Sequence, residues 1–173
     1  MKTKVSFWLI PAEVDRNFFQ EIIDTLARTY SAPSFTPHVT IYSGVSRADE
    51  SPADFIEKAS QGVQPLSLQV DQLLYSDQFT KTLFVQFYPE VILRQISETL
   101  RSSSSQPSDF TLNPHLSLIY QSLSEAQKQD ILSQIHLSRS AVFFSEIWAI
   151  ATPENVHSRE DVESWKVICT KQL

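Results

Sequence analysis

Apolar and polar positions change period several times along the chain, and each change marks an element. Residues 4–10 are rich in β-branched and aromatic side chains and predict a strand that Pro11 ends. Phe18, Phe19, Ile22, Ile23, Leu26 and Tyr30 recur at helical spacing and predict a helix over residues 15–30, with Asp15 as its N-cap and Pro33 beyond its end. Ser51-Pro52, a hydroxyl followed by proline, predicts a short helix that stops before Gly62. Leu66, Leu68 and Val70 alternate in a strand over residues 66–74, and Leu83, Val85 and Phe87 share one face of a strand over residues 82–88. The polar residues 75–81 join these two as a hairpin. Val91, Leu93, Ile96 and Leu100 stripe a helix over residues 90–101, followed by a serine-rich loop at 102–109 that reads as a mobile segment or lobe boundary. Ser124 caps a helix running to about Ile135, and strands over 141–151 and 162–171 flank a final loop.

Two stretches stand out from this pattern because they are near copies. Phe35-Thr36-Pro37-His38-Val39-Thr40-Ile41-Tyr42 and Leu112-Asn113-Pro114-His115-Leu116-Ser117-Leu118-Ile119-Tyr120 each run proline, histidine, aliphatic, hydroxyl, aliphatic. Residues two apart on a strand share a face. His38 and Thr40 therefore point one way and Val39 and Ile41 the other, and the same holds for His115 and Ser117 against Leu116 and Leu118. The histidines lie 77 positions apart. Each is followed by a helix and two strands, so the chain reads as two similar halves. Strands outside a regular βαβ alternation favour mainly antiparallel sheets with helices on their outer faces, an α+β layout. The expectation is one domain over residues 1–173, made of two pseudo-symmetric lobes.

Composition narrows the chemistry. Only Gly44 and Gly62 are glycine, which excludes phosphate-cradling glycine loops of the Walker and Rossmann kinds. The net charge of −6 argues against extended nucleic-acid binding, which needs many lysines and arginines on phosphates. Cys169 is the one cysteine, expected as a buried, inert thiol in the last strand. No apolar run approaches the roughly 20 residues of a membrane helix, and the first residues run straight into a strand pattern without signal-peptide organisation. Cytoplasm, with no membrane partner, is the expected setting.

Two histidines can serve as an acid and a base near neutrality, and neighbouring hydroxyls can donate to oxygens that gain charge in a transition state. Side by side, the two strands suit an in-line displacement at phosphorus. One imidazole activates water, the other protonates the leaving oxygen, and Thr40 and Ser117 hold the non-bridging oxygens. The scheme needs no metal or other cofactor, and no acidic ligand stands at metal-like spacing from the histidines. Pro37 and Pro114 set the entry to each strand. His136 and His157 lack this context and read as surface residues. Trp8, Trp148 and Trp165 read as core, so Tyr42 or Tyr120, each following a motif, is the better candidate to stack on a base. Arg47 is the basic residue nearest the first motif.

The paired His38-Val39-Thr40 and His115-Leu116-Ser117 tripeptides resemble the HxT/HxS signature of the 2H phosphoesterases. Phe7-Trp8-Leu9-Ile10-Pro11, the two proline-led boxes, Ile147-Trp148, Val162 and Trp165 are similar, in order, to the cyclic phosphodiesterases of plants and yeast. The resemblance implies a duplicated, bilobal fold with two antiparallel sheets lining a central cleft. It implies His38 and His115 as catalytic residues, Thr40 and Ser117 as phosphate-binding residues, and an aromatic contact at Tyr120. It implies an enzyme that hydrolyses ADP-ribose 1″,2″-cyclic phosphate, or nucleoside 2′,3′-cyclic phosphates to 2′-phosphates; separately, a monomer is the expected state. The cysteines of the plant proteins are missing here. Two other readings are open at this point: an RNA-end-processing relative, and a non-catalytic nucleotide-binding module.

Overall fold

The computed structural model describes residues 3–173. Its elements are β1 (Thr3–Pro11), α1 (Glu13–Tyr30), β2 (Val39–Ser46), α2 (Pro52–Ala59), β3 (Leu66–Tyr75), a 3₁₀ turn (Phe79–Lys81), β4 (Leu83–Phe87), α3 (Val91–Ser103), β5 (His115–Ile119), α4 (Glu125–Gln134), β6 (Ala141–Thr152), α5 (Arg159–Glu163) and β7 (Lys166–Gln172). The order matches the hydropathy pattern, with the 3₁₀ turn and α5 added.

Local chemistry accounts for most boundaries. Ser51 accepts a hydrogen bond from the Asp54 N–H to start α2, and Glu90 does the same for Leu93 at α3. Ser124 and Gln127 form a reciprocal capping box at α4. Ser158 and Asp161 do so at α5, turning the first residues of the expected last strand into a short helix. Asp15 does not cap α1. The helix starts at Glu13 with Ala12, three residues before Asp15, in the N-cap position, and the Asp15 carboxylate instead accepts from Arg139 Nε at 2.7 Å and the Phe143 N–H at 2.8 Å, tying α1 to the start of β6.

All pairings are antiparallel, and the strand order is β1-β2-β5-β4-β3-β6-β7 with a further β1–β6 pairing. Where two sheets were expected there is one: β7-β6-β1-β2 joins β5-β4-β3 through a single pair at Val39↔Leu116 and through four pairs between β3 and β6, so β3 and β4 stand beside the second histidine strand and not the first. One face of this sheet carries Val5, Phe7, Leu9, Val39, Ile41, Leu83, Val85, Phe87, Leu116 and Leu118, all buried in the main core with Phe19, Ile23, Ile56, Leu93 and Ile96 from the helices. Burial of that apolar face, at about 25 cal/mol per Å², is the main force holding helices to sheet. The opposite face is left to line a cleft.

The serine-rich loop is held in place. The Ser105 N–H and hydroxyl both donate to Glu50, the Ser108 N–H donates to the Tyr42 hydroxyl at 3.0 Å, and Ser108 Oγ donates to the Ser43 carbonyl at 2.6 Å. Among the described residues, no helix is long and apolar enough to cross a membrane.

Candidate active site

The two histidine strands touch at one residue pair, Val39 opposite Leu116. In an antiparallel ladder that register sets His38 opposite Ser117 and Thr40 opposite His115. Val39 and Leu116 are fully buried on the core face, so the four motif side chains emerge together on the other. His38 and His115 form the diagonal of this square, a relation that spans roughly 7–8 Å in a regular ladder. All four residues line one cleft of about 250 Å³.

Each imidazole is oriented in the same way. Nδ1 of His38 lies 2.7 Å from the Thr36 carbonyl oxygen, and Nδ1 of His115 lies 2.7 Å from that of Asn113. A carbonyl only accepts, so each Nδ1 carries the proton and each neutral ring keeps Nε2 as its free acceptor. The intervening Pro37 and Pro114 have fixed φ and turn the preceding carbonyl back onto the ring. Trp8 stacks on the His38 ring with centroids 3.6 Å apart and planes 10° from parallel. Phe84 meets His115 edge-on at 5.5 Å.

A β-bulge follows each motif and decides which tyrosine reaches the cleft. β1 pairs Phe7 with Tyr42 and Trp8 with Thr40, leaving Ile41 as the extra residue. β4 pairs Leu83 with Ile119 and Phe84 with Ser117, leaving Leu118. One extra residue reverses the side-chain alternation. The fourth residue after each histidine, Tyr42 or Ile119, therefore turns into the core, and the fifth, Ser43 or Tyr120, turns into the cleft. This corrects the expectation for Tyr42. It is buried against Phe7 and Phe110, its hydroxyl caps the Ser108 N–H, and a Cβ on Gly44 would fall 2.9 Å from that hydroxyl. Tyr120 does line the cleft, stacked on Phe35 at 4.0 Å.

Trp8 and Trp165 line the cleft as well; Trp8 is at the same time buried with Ile10 and Ile150, as expected of a core residue, and Trp165 packs against that cluster. Lys4 and Ser6 also line the cleft. The signal was present in β1, where Lys4, Ser6 and Trp8 alternate with Val5, Phe7 and Leu9; hydropathy identified the core half of that alternation, not what the other half would face. Arg47 is outside the cleft, paired with Asp49 at 3.1 Å. His136 and His157 are exposed, and Cys169 is half-buried on β7. Among the described residues no three His, Cys, Asp or Glu side chains gather closely enough to hold a metal ion.

Electrostatics favours the neutral form of both imidazoles in the free protein. Burial pushes His38 down from 6.5 to about 4; the Thr36 carbonyl opposes this and His115 adds to it. Burial also lowers His115, opposed by the Asn113 carbonyl and reinforced by the Lys81 ammonium. The Ser117 hydroxyl donates to the Thr80 carbonyl at 2.7 Å. The loop carrying Thr80 is held by Lys128, whose side chain is 3% exposed and whose ammonium donates to Asp77 Oδ1 at 2.6 Å and to the Ser76 carbonyl at 3.3 Å.

The chain is 30% identical over 132 residues to a cyclic phosphodiesterase of Arabidopsis thaliana, covering 75% of this chain and 71% of that protein. Its fold is similar to that of E. coli LigT in its apo form, with a TM-score of 0.61 at 16% identity over 99% of this chain and 97% of the other. It is also similar to TT0787 of Thermus thermophilus, with a TM-score of 0.61 at 14% identity over 98% and 97%. The sequence profile of the cyclic phosphodiesterase-like protein family matches residues 1–173. The chain belongs to the cyclic phosphodiesterase-like protein family and is a phosphodiesterase of the 2H type.

Proposed function

We propose that the protein hydrolyses ribose cyclic phosphates, ADP-ribose 1″,2″-cyclic phosphate or nucleoside 2′,3′-cyclic phosphates, without a metal. The observation that supports this reading is the register at Val39↔Leu116, which brings two imidazoles and two hydroxyls to the lining of one cleft.

In this scheme the cyclic phosphate lies between the histidines. One neutral Nε2 takes the proton of an attacking water as its oxygen bonds to phosphorus. The other imidazole, protonated under the influence of the bound anion, gives its Nε2 proton to the ribose oxygen as the P–O bond breaks. Both Nδ1 protons stay on their carbonyls, so the rings neither rotate nor change tautomer between steps. Thr40 and Ser117 donate to the non-bridging oxygens. Ser117 does so by turning its proton from the neutral Thr80 carbonyl to an anionic oxygen, a stronger acceptor. Each proton-transfer role is worth about 10²–10⁴-fold in rate.

The test is phosphorus NMR of products formed from a nucleoside 2′,3′-cyclic phosphate by the wild type, His38→Ala and His115→Ala, with circular dichroism as a control for folding. A 2′-phosphate product with the wild type, and loss of about 10²-fold or more in each folded variant, is the expected result. Full activity in either variant overturns the scheme. Faster turnover of an oligonucleotide ending in a cyclic phosphate than of the mononucleotide would favour RNA ends instead.

A further inference from the structure

Beyond the histidine square, the cleft continues along β1 as a polar track. Lys4, Ser6 and Trp8 share one face of that strand, and Trp8 is the residue stacked on His38. Ser6 stands opposite Ser43 on β2, with the two hydroxyls 2.8 Å apart, and Lys4 stands opposite Thr152 on β6. All of these side chains line the same cleft. At a rise of about 3.3 Å per residue, the Lys4 backbone lies ~13 Å from that of Trp8. The lysine therefore marks the far end of the site and not the reacting phosphate.

The charge along this lining is one-sided. Among the described residues, and apart from the titratable imidazoles, Lys4 is the one charged side chain that lines the cleft, and no carboxylate does. This holds in a chain whose net charge is −6. Among the described residues Lys4 has no carboxylate partner. Its Nζ donates to the Glu154 carbonyl at 3.2 Å, which orients the ammonium and leaves two of its three protons to give. Ser6 and Thr152, both buried hydroxyl residues, flank it with further donors.

We propose that Lys4, with Ser6, Ser43 and Thr152, forms a second anion subsite that takes a phosphate carried by the substrate on the side remote from its cyclic phosphate. The preferred substrates are then ribose cyclic phosphates bearing a second phosphate or diphosphate, and Lys4 is a specificity residue rather than a catalytic one. This rests on the cleft being the substrate site proposed above.

The experiment compares adenosine 2′,3′-cyclic phosphate with and without a 5′-phosphate, using the wild type, Lys4→Met and Lys4→Arg. A charge-assisted hydrogen bond is worth about tenfold or more in affinity. The wild type should show at least about a tenfold higher kcat/KM for the 5′-phosphorylated substrate, expressed in KM with kcat unchanged. Lys4→Met should erase that advantage while leaving the unphosphorylated substrate unaffected, and Lys4→Arg should restore most of it. No preference in the wild type, or an equal loss on both substrates in Lys4→Met, overturns the subsite. Tryptophan fluorescence titration with adenosine 2′-phosphate and adenosine 2′,5′-bisphosphate keeps the two proposals separable. If neither cyclic phosphate is hydrolysed, the proposed function fails. The subsite then stands if the bisphosphate binds more tightly to the wild type but not to Lys4→Met, and falls if it does not.

Discussion

Replacing His38 by asparagine should flatten the acid dependence of stability by a predictable amount. Asparagine places an amide N–H where Nδ1 now donates to the Thr36 carbonyl at 2.7 Å, so the local hydrogen bond survives while the titrating group is lost. In the unfolded chain the imidazole takes up a proton near 6.5; in the folded protein, burial delays this to about 4. As pH falls through that window the unfolded state binds the proton and the native state does not, so stability is lost. The contribution of neutral His38 is complete above about 6.5 and gone near 4. Each tenfold difference in proton affinity is worth about 1.4 kcal/mol, so the total is about 3 kcal/mol. Urea unfolding at constant ionic strength, followed by circular dichroism from pH 7.5 to 4.5 for both proteins, measures it. Carboxylates and the other histidines titrate in both, so the difference between wild type and variant isolates His38. That difference should shift steadily against the wild type on acidification. A gap constant to within about 0.5 kcal/mol across the range, or a His38 ring proton titrating near 6.5 by NMR, would refute the argument.

Other outcomes follow from the same geometry. Both histidines titrate below their ordinary value. The kcat/KM profile for a cyclic nucleotide should therefore have both limbs on the acid side of 6.5, and a basic limb above about 7.5 would contradict neutral, buried imidazoles. Tyr42→Phe removes the acceptor of the Ser108 N–H. It should cost about 1 kcal/mol in urea unfolding and leave kcat/KM unchanged, because Tyr42 faces the core. Dialysis against EDTA should leave initial rates unaltered. A loss restored by adding back a divalent ion would require a metal that the two-histidine scheme does not use.

Much of the fold was legible because it is local. Apolar period separated helices from strands from β1 to β7, and hydroxyl caps at Ser51 and Ser124 marked helix starts. The short helix α5 escaped a reading based on period, which needs several turns to register. Its Ser158-Asp161 capping box was the only mark in the sequence. Asp15 misled for a related reason. An acid near a helix start suits either a cap or a tertiary contact, and only the approach of Arg139 and the Phe143 N–H selects between them.

The candidate site divides in the same way. The sequence alone determined that His38 shares a strand face with Thr40, and His115 with Ser117, because alternation over two residues is a property of the strand itself. Which face became the cleft, and how the two strands met, was decided by the packing of helices on the core face and by the Val39↔Leu116 register. The bulges at Ile41 and Leu118 exist only against their partner strands, and they sent Tyr42 inward and Tyr120 into the cleft. Lys4, Ser6 and Trp8 joined the site by pairing with residues more than 30 positions away. Side-chain direction along a strand is a short-range consequence of the chain. What that direction faces is set by strand pairing, and no local pattern carries it.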